Sequence, residues 1–234
     1  MSQPINYETR WLIAEASARS HIVDTLHSIR ADYKVSGQTV VELGSGIGTN
    51  LLVFAAGNSV LAVEGLPAAL EECRKRGIAA VSADLERHIP LADASADWIL
   101  CIDVLEHLVN PAECLASARR ILRDGGHLVV NVPNHFDLSG RLRILRGSGI
   151  DSRGYFPESP HWKYPHIRFF CRRSIGELLT VAGFEVLEDY GPRFLSFPKL
   201  HFWTGLGMSS VLRAMQSRWP DLFSSGFFLL CKKQ

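Results

Sequence analysis

The chain has 234 residues, and its 25 basic and 24 acidic side chains leave a formal net charge of +1. That length suits a single α/β domain over 1–234, and the near-zero charge gives no general attraction to nucleic acid or to an anionic membrane. The polar first residues predict no signal peptide, no run reaches the roughly 18 apolar residues of a membrane span, and five scattered cysteines indicate reduced thiols in a cytoplasmic setting.

Helical and strand patterns alternate along the first half of the chain. Apolar residues at helical spacing predict a leading helix over 7–34, within an N-terminal helical cap over 1–36. Short apolar runs then predict strands at 39–43, 59–64, 78–82 and 96–103. Between the first three strands, the flanking glycines and prolines predict a helix at 48–56 and another from Pro67 to the Gly77 cap.

The second half continues the alternation. Asn110, Pro111 and Gly125 predict the start and end of a helix, and Ser174 with Glu177 predicts a capping box on another that stops at Gly183. The strands of this half are predicted at 127–133, 184–190 and 226–233. This order predicts an α/β fold with a Rossmann-like, doubly wound, mostly parallel sheet of about seven strands, helices on both faces, and ligands at the carboxyl ends of the strands.

The most informative segment is VVELGSGIGTN at 40–50, followed by an acidic residue at Glu64. Gly44 and Gly46 carry no Cβ and tolerate positive φ, so the backbone of this turn can approach a ligand closely. An acidic residue about 20 positions further on can accept hydrogen bonds from both ribose hydroxyls. The pattern predicts a nucleoside site, against the plainer interpretation of a tight turn between a strand and a helix.

The spacing also discriminates between cofactors. A dinucleotide fingerprint places a third glycine where this chain has Thr49, so that pyrophosphate can sit on the helix N-terminus. Glu42 adds a carboxylate inside the turn, which disfavours a pyrophosphate and suits an ammonium group. A ligand with a ribose and a cationic amino-acid end satisfies both observations, and S-adenosylmethionine is such a ligand. NAD is the disfavoured alternative.

The ordered set of motifs resembles the class I S-adenosylmethionine-dependent methyltransferases over nearly the whole chain. The motifs are VVELGSGIGTN, Glu64, SADLE (82–86), DWILCIDVLEHL (97–108), RILRDGGHLVVNVPN (120–134) and HIRFFCRRSIGELLTVAGFEV (166–186). Within the class, VPNHFDLSGRLRILRG followed by YPHIRFF resembles the MetW-type proteins of methionine biosynthesis, although related sequences also serve ubiquinone-type and sugar methylation. This resemblance implies the cofactor contacts at the following positions: Glu42, Gly44, Ser45, Gly46, Glu64, Gly65, Asp84, Leu85, Cys101 and Ile102.

The resemblance gives several of these positions distinct roles. Gly44 and Gly46 would cradle the amino-acid end, and Glu64 would bind the ribose. Asp84 would accept from the adenine amino group with Leu85 beside the ring, and the plainer alternative for Asp84 is a turn or cap. The methionine portion would lie over the end of strand four, at Cys101 and Ile102. Ser45 stands where the usual turn has cysteine.

The DVLEHL segment is the predicted catalytic region. Asp103, Glu106 and His107 are spaced so that they share one face if a helix starts there. His107 is the candidate general base, because its reference pKa lies near working pH. Alternatively, all three side chains hold a divalent cation such as Mg²⁺, as similar motifs in ubiquinone-type O-methyltransferases suggest, or the pair at 106 and 107 organises the helix start.

Substrate recognition is predicted for a substrate-side insertion or lid at 135–173. The candidate contacts are Asn134, His135, Tyr164, His166 and Arg168. The local excess of arginine favours an anionic acceptor over nucleic acid, against the alternative of a solvated helix face. The apolar segment 194–215 could pack in the core, cover the cleft, form a homodimer face or meet a membrane surface.

The resemblance implies a methyltransferase for a small-molecule oxygen or nitrogen acceptor. The rival expectation is a MetW-type accessory protein without catalysis, which partners the acetyltransferase of methionine biosynthesis. A partner of that kind would tolerate the loss of Glu64 in its assisting role and could use the segment 194–215 for contact.

Overall fold

The computed structural model describes residues 20–147, 166–191, 195–196 and 200–234. Seven strands form one sheet: β1 (Thr39–Leu43), β2 (Ser59–Glu64), β3 (Ala79–Ser82), β4 (Ala96–Ile102), β5 (Leu122–Pro133), β6 (Phe184–Asp189) and β7 (Gly226–Lys233). The helices are α1 (Ser20–Asp32), α2 (Thr49–Ala55), α3 (Pro67–Lys75), α4 (Pro111–Ile121), α5 (Leu138–Leu145), α6 (Arg172–Val181), α7 (Leu200–Gly205), α8 (Ser209–Arg218) and α9 (Pro220–Phe223), with one 3-10 turn at Leu105–His107.

The strands lie in the order β3-β2-β1-β4-β5-β7-β6. Only β7 runs antiparallel to its neighbours β5 and β6. The predicted α/β fold, with a mostly parallel sheet of about seven strands, is confirmed. Register brings the carboxyl ends together, since Glu64 pairs with Ser82 and Ile102 pairs with Asn131. The ends of β3, β2, β1, β4 and β5 therefore form one edge, where the predicted cofactor residues converge.

Strand β4 shows why helices cover both faces of the sheet. Its residues alternate between two apolar clusters, so that Ile99 packs with Leu115 of α4 on one face. On the other face Leu100 packs with Phe54 of α2 and Leu26 of α1. Each such buried side chain contributes about 1.5–3 kcal/mol relative to exposure. A strand buried on both faces reads as an unbroken apolar run, which is the pattern that the sequence shows at 96–103.

Two helix boundaries differ from the predictions. The helix that begins at Pro111 ends at Ile121 and not near Gly125, because Leu122 already pairs with Ala96 as part of β5. Gly125 instead lies within β5 with a φ of +73°. Of the leading helix predicted over 7–34, Ser20–Asp32 is helical, and residues 7–19 lie outside the described residues.

The predicted capping box at Ser174 and Glu177 is wrong. Helix α6 begins three residues earlier, with Cys171 as its N-terminal cap, and the hydroxyl of Ser174 accepts the Cys171 N–H at 3.0 Å. Glu177 pairs with Arg173 at 2.8 Å on the helix surface. The end of this helix was predicted correctly, since Gly183 has a φ of +80° and follows the last turn.

The apolar segment 194–215 contributes both to the core and to the surface. It contains α7 and most of α8. Leu212 of α8 is buried, while Val211 of α8 and Leu206, between the two helices, are exposed. Among the described residues, no helix combines the length and the apolar character that crossing a membrane requires.

Candidate active site

The glycine turn between β1 and α2 has a conformation that requires its glycines. Gly44 has a φ of +71°, and a Cβ built on it would lie 2.5 Å from Cγ2 of Val104. Gly48 has a φ of +77°, and its Cβ would lie 2.6 Å from Cδ1 of Ile78. A side chain at either position would therefore meet both a strained backbone and a steric clash. The turn brings main chain directly against the segment that follows β4.

Three backbone N–H groups of this turn donate hydrogen bonds to carbonyls of the protein. The N–H groups of Gly44 and Ser45 donate to the carbonyl of Val63 at 2.8 and 3.3 Å, and that of Gly48 donates to the Ser45 carbonyl at 2.9 Å. A pyrophosphate site depends on such amides being directed at the ligand. These three amides are directed elsewhere, which agrees with the prediction that the turn does not hold a pyrophosphate.

Glu64 joins the end of β2 to the glycine turn. Its Oε2 accepts the Gly46 N–H at 2.8 Å, and its Oε1 accepts the N–H groups of Gly65 and Leu66 at 2.7 and 3.0 Å. A carboxylate offers roughly four hydrogen-bond positions, so the three backbone donors fix its orientation and leave capacity for a hydroxyl. Glu64 is thus more than a surface charge at a strand end.

Glu42 and Ser45 lie beneath the turn and are nearly inaccessible. Glu42 is 1% exposed, and its Oε1 accepts a hydrogen bond from Nδ2 of Asn50 at 2.7 Å. The hydroxyl of Ser45 lies 4.0 Å from the thiol of Cys73, which in turn donates to the carbonyl of Gly46 at 3.3 Å. Burial raises the pKa of the Cys73 thiol, so it stays protonated and serves as a donor. These contacts stabilise the conformation of the turn.

Asp84 and Leu85 follow β3 at the same edge. The Asp84 side chain is 57% exposed, with Oδ1 accepting the Glu86 N–H at 3.0 Å and Oδ2 paired with Arg87 at 3.2 Å. These contacts agree with its role as a turn residue, while its exposure keeps the carboxylate accessible to a ligand. Leu85 lies within van der Waals distance of the glycine turn, since its Cδ1 is 3.5 Å from the position of a Cβ on Gly44.

Cys101 and Ile102 point into opposite faces of the sheet and away from the edge. Cys101 is fully buried beside Cys114, whose thiol together with burial raises the Cys101 pKa well above its ordinary value. Ile102 packs with Leu100 in the other apolar cluster. Alternation along β4 turns both side chains away from the edge, so main chain is what residues 101 and 102 present there, and their place under the methionine portion stays a prediction.

The prediction that Asp103, Glu106 and His107 share one face of a helix is also wrong. Residues 105–107 form a single 3-10 turn, in which the His107 N–H donates to the carbonyl of Val104 at 2.9 Å. The Glu106 carbonyl accepts the amides of Ile167 and Arg168 at 2.8 and 3.0 Å. Because that carbonyl is used by the segment 166–170, no α-helix continues from it. Asp103 precedes the turn with a φ of +53°.

Three histidines that the sequence assigned to different roles meet beside this turn. The rings of His107 and His166 are in edge contact with centroids 4.9 Å apart. Nε2 of His135 and Nδ1 of His166 are hydrogen-bonded at 2.9 Å, and their centroids are 5.0 Å apart. His135 is 7% exposed, whereas His107 and His166 are half-buried. The catalytic candidate and two of the substrate candidates therefore form one cluster.

A cation could be held by part of this cluster. Glu106, His107 and His166 each offer a ligand atom within 4.8 Å of the others, and Asp103 does not belong to the group. Two imidazoles and one carboxylate suit a transition metal such as Zn²⁺ or Fe²⁺ better than Mg²⁺, which prefers oxygen ligands. The structure thus replaces one of the three predicted ligands and changes the class of ion that would fit.

The remaining substrate candidates are occupied by contacts within the protein or lie outside the described residues. Nδ2 of Asn134 donates to the carbonyls of Asp221 and Ser224 at 2.9 and 2.8 Å, which uses both of its hydrogens and fastens that loop. Arg168 donates to the carbonyls of Leu108 and Val109. Both side chains thus hold neighbouring main chain, and a contact of either with a substrate stays a prediction. Tyr164 lies outside the described residues.

Two residues of the site were missed by the sequence-based reasoning. Asn131 of β5 donates through Nδ2 to Oδ1 of Asp103, and its carbonyl accepts the Asp103 N–H at 2.9 Å. Val104 packs against Gly44. A polar residue inside the apolar run HLVVNVP was the available signal for Asn131, whereas nothing in the sequence distinguished Val104 from other core residues.

Residues 15–189, more than half of the chain, match the family model described as a methyltransferase domain. The chain belongs to the methyltransferase-domain family. A Mycobacterium tuberculosis protein named "Probable S-adenosylmethionine-dependent methyltransferase" is 31% identical over 183 residues, which are 76% of this chain and 60% of that protein. A Mycolicibacterium smegmatis protein of similar name is 30% identical over 69% of this chain and 58% of its own length.

These curated relatives are longer than the region they share with the chain. The matched region covers 31% of the length of a Streptomyces fradiae transposon protein and about three fifths of the length of each of the two mycobacterial proteins. The fold is shared with the S-adenosylmethionine-dependent methyltransferase of Mesorhizobium loti, at a TM-score of 0.56 and 17% identity over 85% of this chain and 92% of that one.

Membership in this methyltransferase family implies S-adenosylmethionine as the cofactor, and the residues present fit it. Gly44 lets the main chain of the turn pack on Val104, where a Cβ would clash, and the Glu64 carboxylate is fixed 2.8 Å from the amide of Gly46. The acidic side chain of Glu42 is buried under the turn, which suits a cationic amino-acid end. The site is thus compatible with a nucleoside that carries an ammonium group.

Proposed function

We propose that this protein transfers the methyl group of S-adenosylmethionine to an oxygen or nitrogen atom of a small molecule. The observation that carries the proposal is the contact between Glu64 and Gly46. It joins the carboxylate that is proposed to bind the ribose to the glycine turn at the carboxyl edge of the sheet. A tight turn alone would not need a charged side chain held by three backbone amides.

The cofactor would be held by residues at the ends of three neighbouring strands. Glu64 would accept from the ribose, Asp84 from the adenine amino group, and the main chain of Gly44 would lie along the amino-acid end. When bound, the sulfonium supplies a methyl group that is already electrophilic. The protein therefore gains most of its rate by holding the acceptor atom close and in line, which is worth up to about 7–11 kcal/mol in well-oriented reactions.

An acceptor hydroxyl or amine also has to lose a proton, and the histidine cluster is the proposed place for it. His107 is the candidate base, because it is half-buried and one 3-10 turn away from Val104, which contacts the glycine turn. The edge contact with His166 restricts its ring. A positioned base of this kind contributes about 10²–10⁴-fold to the rate.

The acceptor class rests on relatives and on charge. A protein of Methylococcus capsulatus named ubiquinone biosynthesis O-methyltransferase is 27% identical over 136 residues, which favours a hydroxyl acceptor. The proposed anionic character of the acceptor rests on fewer arginines than the sequence suggested. Arg172 pairs with Asp189, and Arg173 pairs with Glu177. Part of the basic charge on the proposed lid over 135–173 is thus offset by carboxylates of the protein itself.

The alternative is a MetW-type accessory protein that partners an acetyltransferase of methionine biosynthesis. It rests on the resemblance of the segment that begins at VPN and on the exposed apolar residues Leu206 and Val211. A homodimer through the same surface is a further proposal of this kind. A cytoplasmic setting continues to rest on the five cysteines, all of which are free thiols in the structure.

A methyl-transfer assay tests the proposal. The protein is incubated with S-adenosylmethionine labelled in the methyl group and with a panel of hydroxylated aromatic acids, phosphorylated alcohols and primary amines. We expect label in one class of acceptor, lost in Glu64→Ala and retained in Glu71→Ala, an exposed helix residue that pairs with Lys75. Cofactor binding without transfer to any class, together with retention of an acetyltransferase, would favour the accessory function.

A further inference from the structure

Asp103 has an unusual backbone conformation at the edge of the sheet. It follows the last residue of β4 with a φ of +53°, in the left-handed region that side-chain-bearing residues seldom adopt. Such conformations cost about 1–3 kcal/mol and persist where the surrounding structure imposes them. They occur preferentially at ligand-binding positions, so an outlier at this edge calls for a functional explanation.

Asn131 on the neighbouring strand holds Asp103 in this conformation. The Asn131 carbonyl accepts the Asp103 N–H at 2.9 Å, and its Nδ2 donates to Oδ1 of the Asp103 carboxylate. Asn131 is 8% exposed and is itself fixed by pairing with Ile102 and Phe228. The carboxylate is therefore oriented through both its main chain and its side chain, while Asp103 remains half-buried and accessible.

The order of the strands places Asp103 beside the reacting part of the cofactor. With adenine at the end of β3, ribose at β2 and the amino-acid end at β1, the next strand in the sheet is β4. Val104, the residue after Asp103, contacts the glycine turn at Gly44. On the other side, Asn131 belongs to β5, which leads to the histidine cluster at His135. Asp103 thus lies between the cofactor turn and the cluster.

We propose that the Asp103 carboxylate accepts a hydrogen bond from the small molecule that is to be methylated. Asn131 is its positioning residue. A carboxylate at this place selects an acceptor whose reacting end is a hydroxyl or an amine, because a carboxylate or phosphate at that end would be repelled. The hydrogen bond would direct the lone pair of the acceptor atom at the methyl group. Asp103 therefore sets specificity, and it lies outside the candidate cation group of Glu106, His107 and His166. The inference rests on the proposed function.

The test needs no knowledge of the acceptor. Sinefungin is an analogue of S-adenosylhomocysteine that carries an amino group at the place of the transferred methyl. The affinities of both compounds are measured by calorimetry on wild-type protein and on Asp103→Asn, which keeps an oxygen for Asn131 and removes the charge. We expect wild type to bind sinefungin about tenfold more tightly than S-adenosylhomocysteine, and the ratio to fall about tenfold in the variant.

Further variants separate function from folding. Asp103→Gly removes the carboxylate and relieves the left-handed strain. The ratio of the two affinities should therefore fall, while the midpoint of thermal unfolding should not. Asn131→Ala should lower the ratio because the carboxylate loses its orientation. Ala94→Gly is the matched control, since Ala94 has a φ of +49° just before the other end of β4. It should leave the ratio unchanged.

The outcomes distinguish the two claims. If wild type binds neither compound, the proposed function fails and the inference fails with it. If both compounds bind but the ratio is the same in wild type, Asp103→Asn and Asp103→Gly, the cofactor site stands and the role of Asp103 is overturned. An equal loss of both affinities in Asp103→Asn would likewise overturn it, since that result would show that Asp103 only stabilises the cofactor pocket.

Discussion

The carboxylate of Glu64 accepts the amide hydrogen of Gly46 at 2.8 Å, across two neighbouring strands of the sheet. The contact makes the glycine turn and the acidic strand end interdependent. A ligand that binds one of them meets the other in a fixed position, so little ordering of the site is required on binding. A substitution at either residue should therefore affect cofactor affinity more than it affects the stability of the fold.

Gly44→Ala should abolish binding of S-adenosylhomocysteine. The new Cβ would lie 2.5 Å from Cγ2 of Val104 on a backbone with a φ of +71°, so the turn or the segment after β4 must move. We expect a loss of about 1–3 kcal/mol in the free energy of unfolding. The measurement is calorimetry combined with urea unfolding. The double variant Gly44→Ala with Val104→Ala should regain part of the stability, and full binding in the single variant would contradict the geometry.

Asn50→Ala should destabilise the protein through Glu42. The variant removes a 2.7 Å hydrogen bond to a carboxylate that is 1% exposed. Hydrogen bonds to charged groups contribute about 1.5–3 kcal/mol, and we expect a loss of that size in urea unfolding. Asn58 supplies a comparison, because its Nδ2 donates to main-chain carbonyls and not to a charge, so Asn58→Ala should cost less. Equal losses would argue against a special role for the Glu42 contact.

The sequence predicted the sheet and the cofactor edge because both depend on local patterns. Apolar runs located all seven strands, and the glycine spacing with Glu64 located the turn. Positions that depend on contacts between distant segments could not be predicted. The 3-10 turn at 105–107 exists because amides of residues 167 and 168 use the Glu106 carbonyl. Likewise, Asn134 was read as a substrate contact, although its amide hydrogens bind a loop about 90 residues away.

Cys171 should be the most reactive of the five thiols. Its hydrogen bond with the Ser174 hydroxyl and the amides at the start of α6 lower its pKa. Burial raises the pKa of Cys73 and Cys231, and the contact with Cys114 together with burial raises that of Cys101. Because the thiolate is the nucleophile, labelling of Cys171 should begin at a lower pH than for an ordinary cysteine and increase as pH rises through its pKa.

A pH series with a disulfide reagent on the native protein measures this order. One thiol should react fast, and Cys171→Ser should remove that phase while the slow phases stay the same. A fast phase that persists in Cys171→Ser would place the reactive thiol elsewhere.

Removal of metal ions should leave cofactor affinity unchanged. The candidate cation group at Glu106, His107 and His166 does not include Glu64 or the glycine turn. Dialysis against EDTA is followed by calorimetry with S-adenosylhomocysteine, then by addition of Zn²⁺ or Mg²⁺. A drop in affinity that either ion restores would show that a cation is part of the cofactor pocket, contrary to this account.

The central claim is that the turn and Glu64 bind S-adenosylmethionine, and calorimetric titration of its product, S-adenosylhomocysteine, tests it most directly. The account predicts micromolar affinity in wild type, retention in Glu71→Ala, and a loss of at least tenfold in Glu64→Ala, since a charge-assisted contact to the ribose is removed. NADH should not compete. Absence of binding to folded wild type, or displacement by NADH, would contradict the claim.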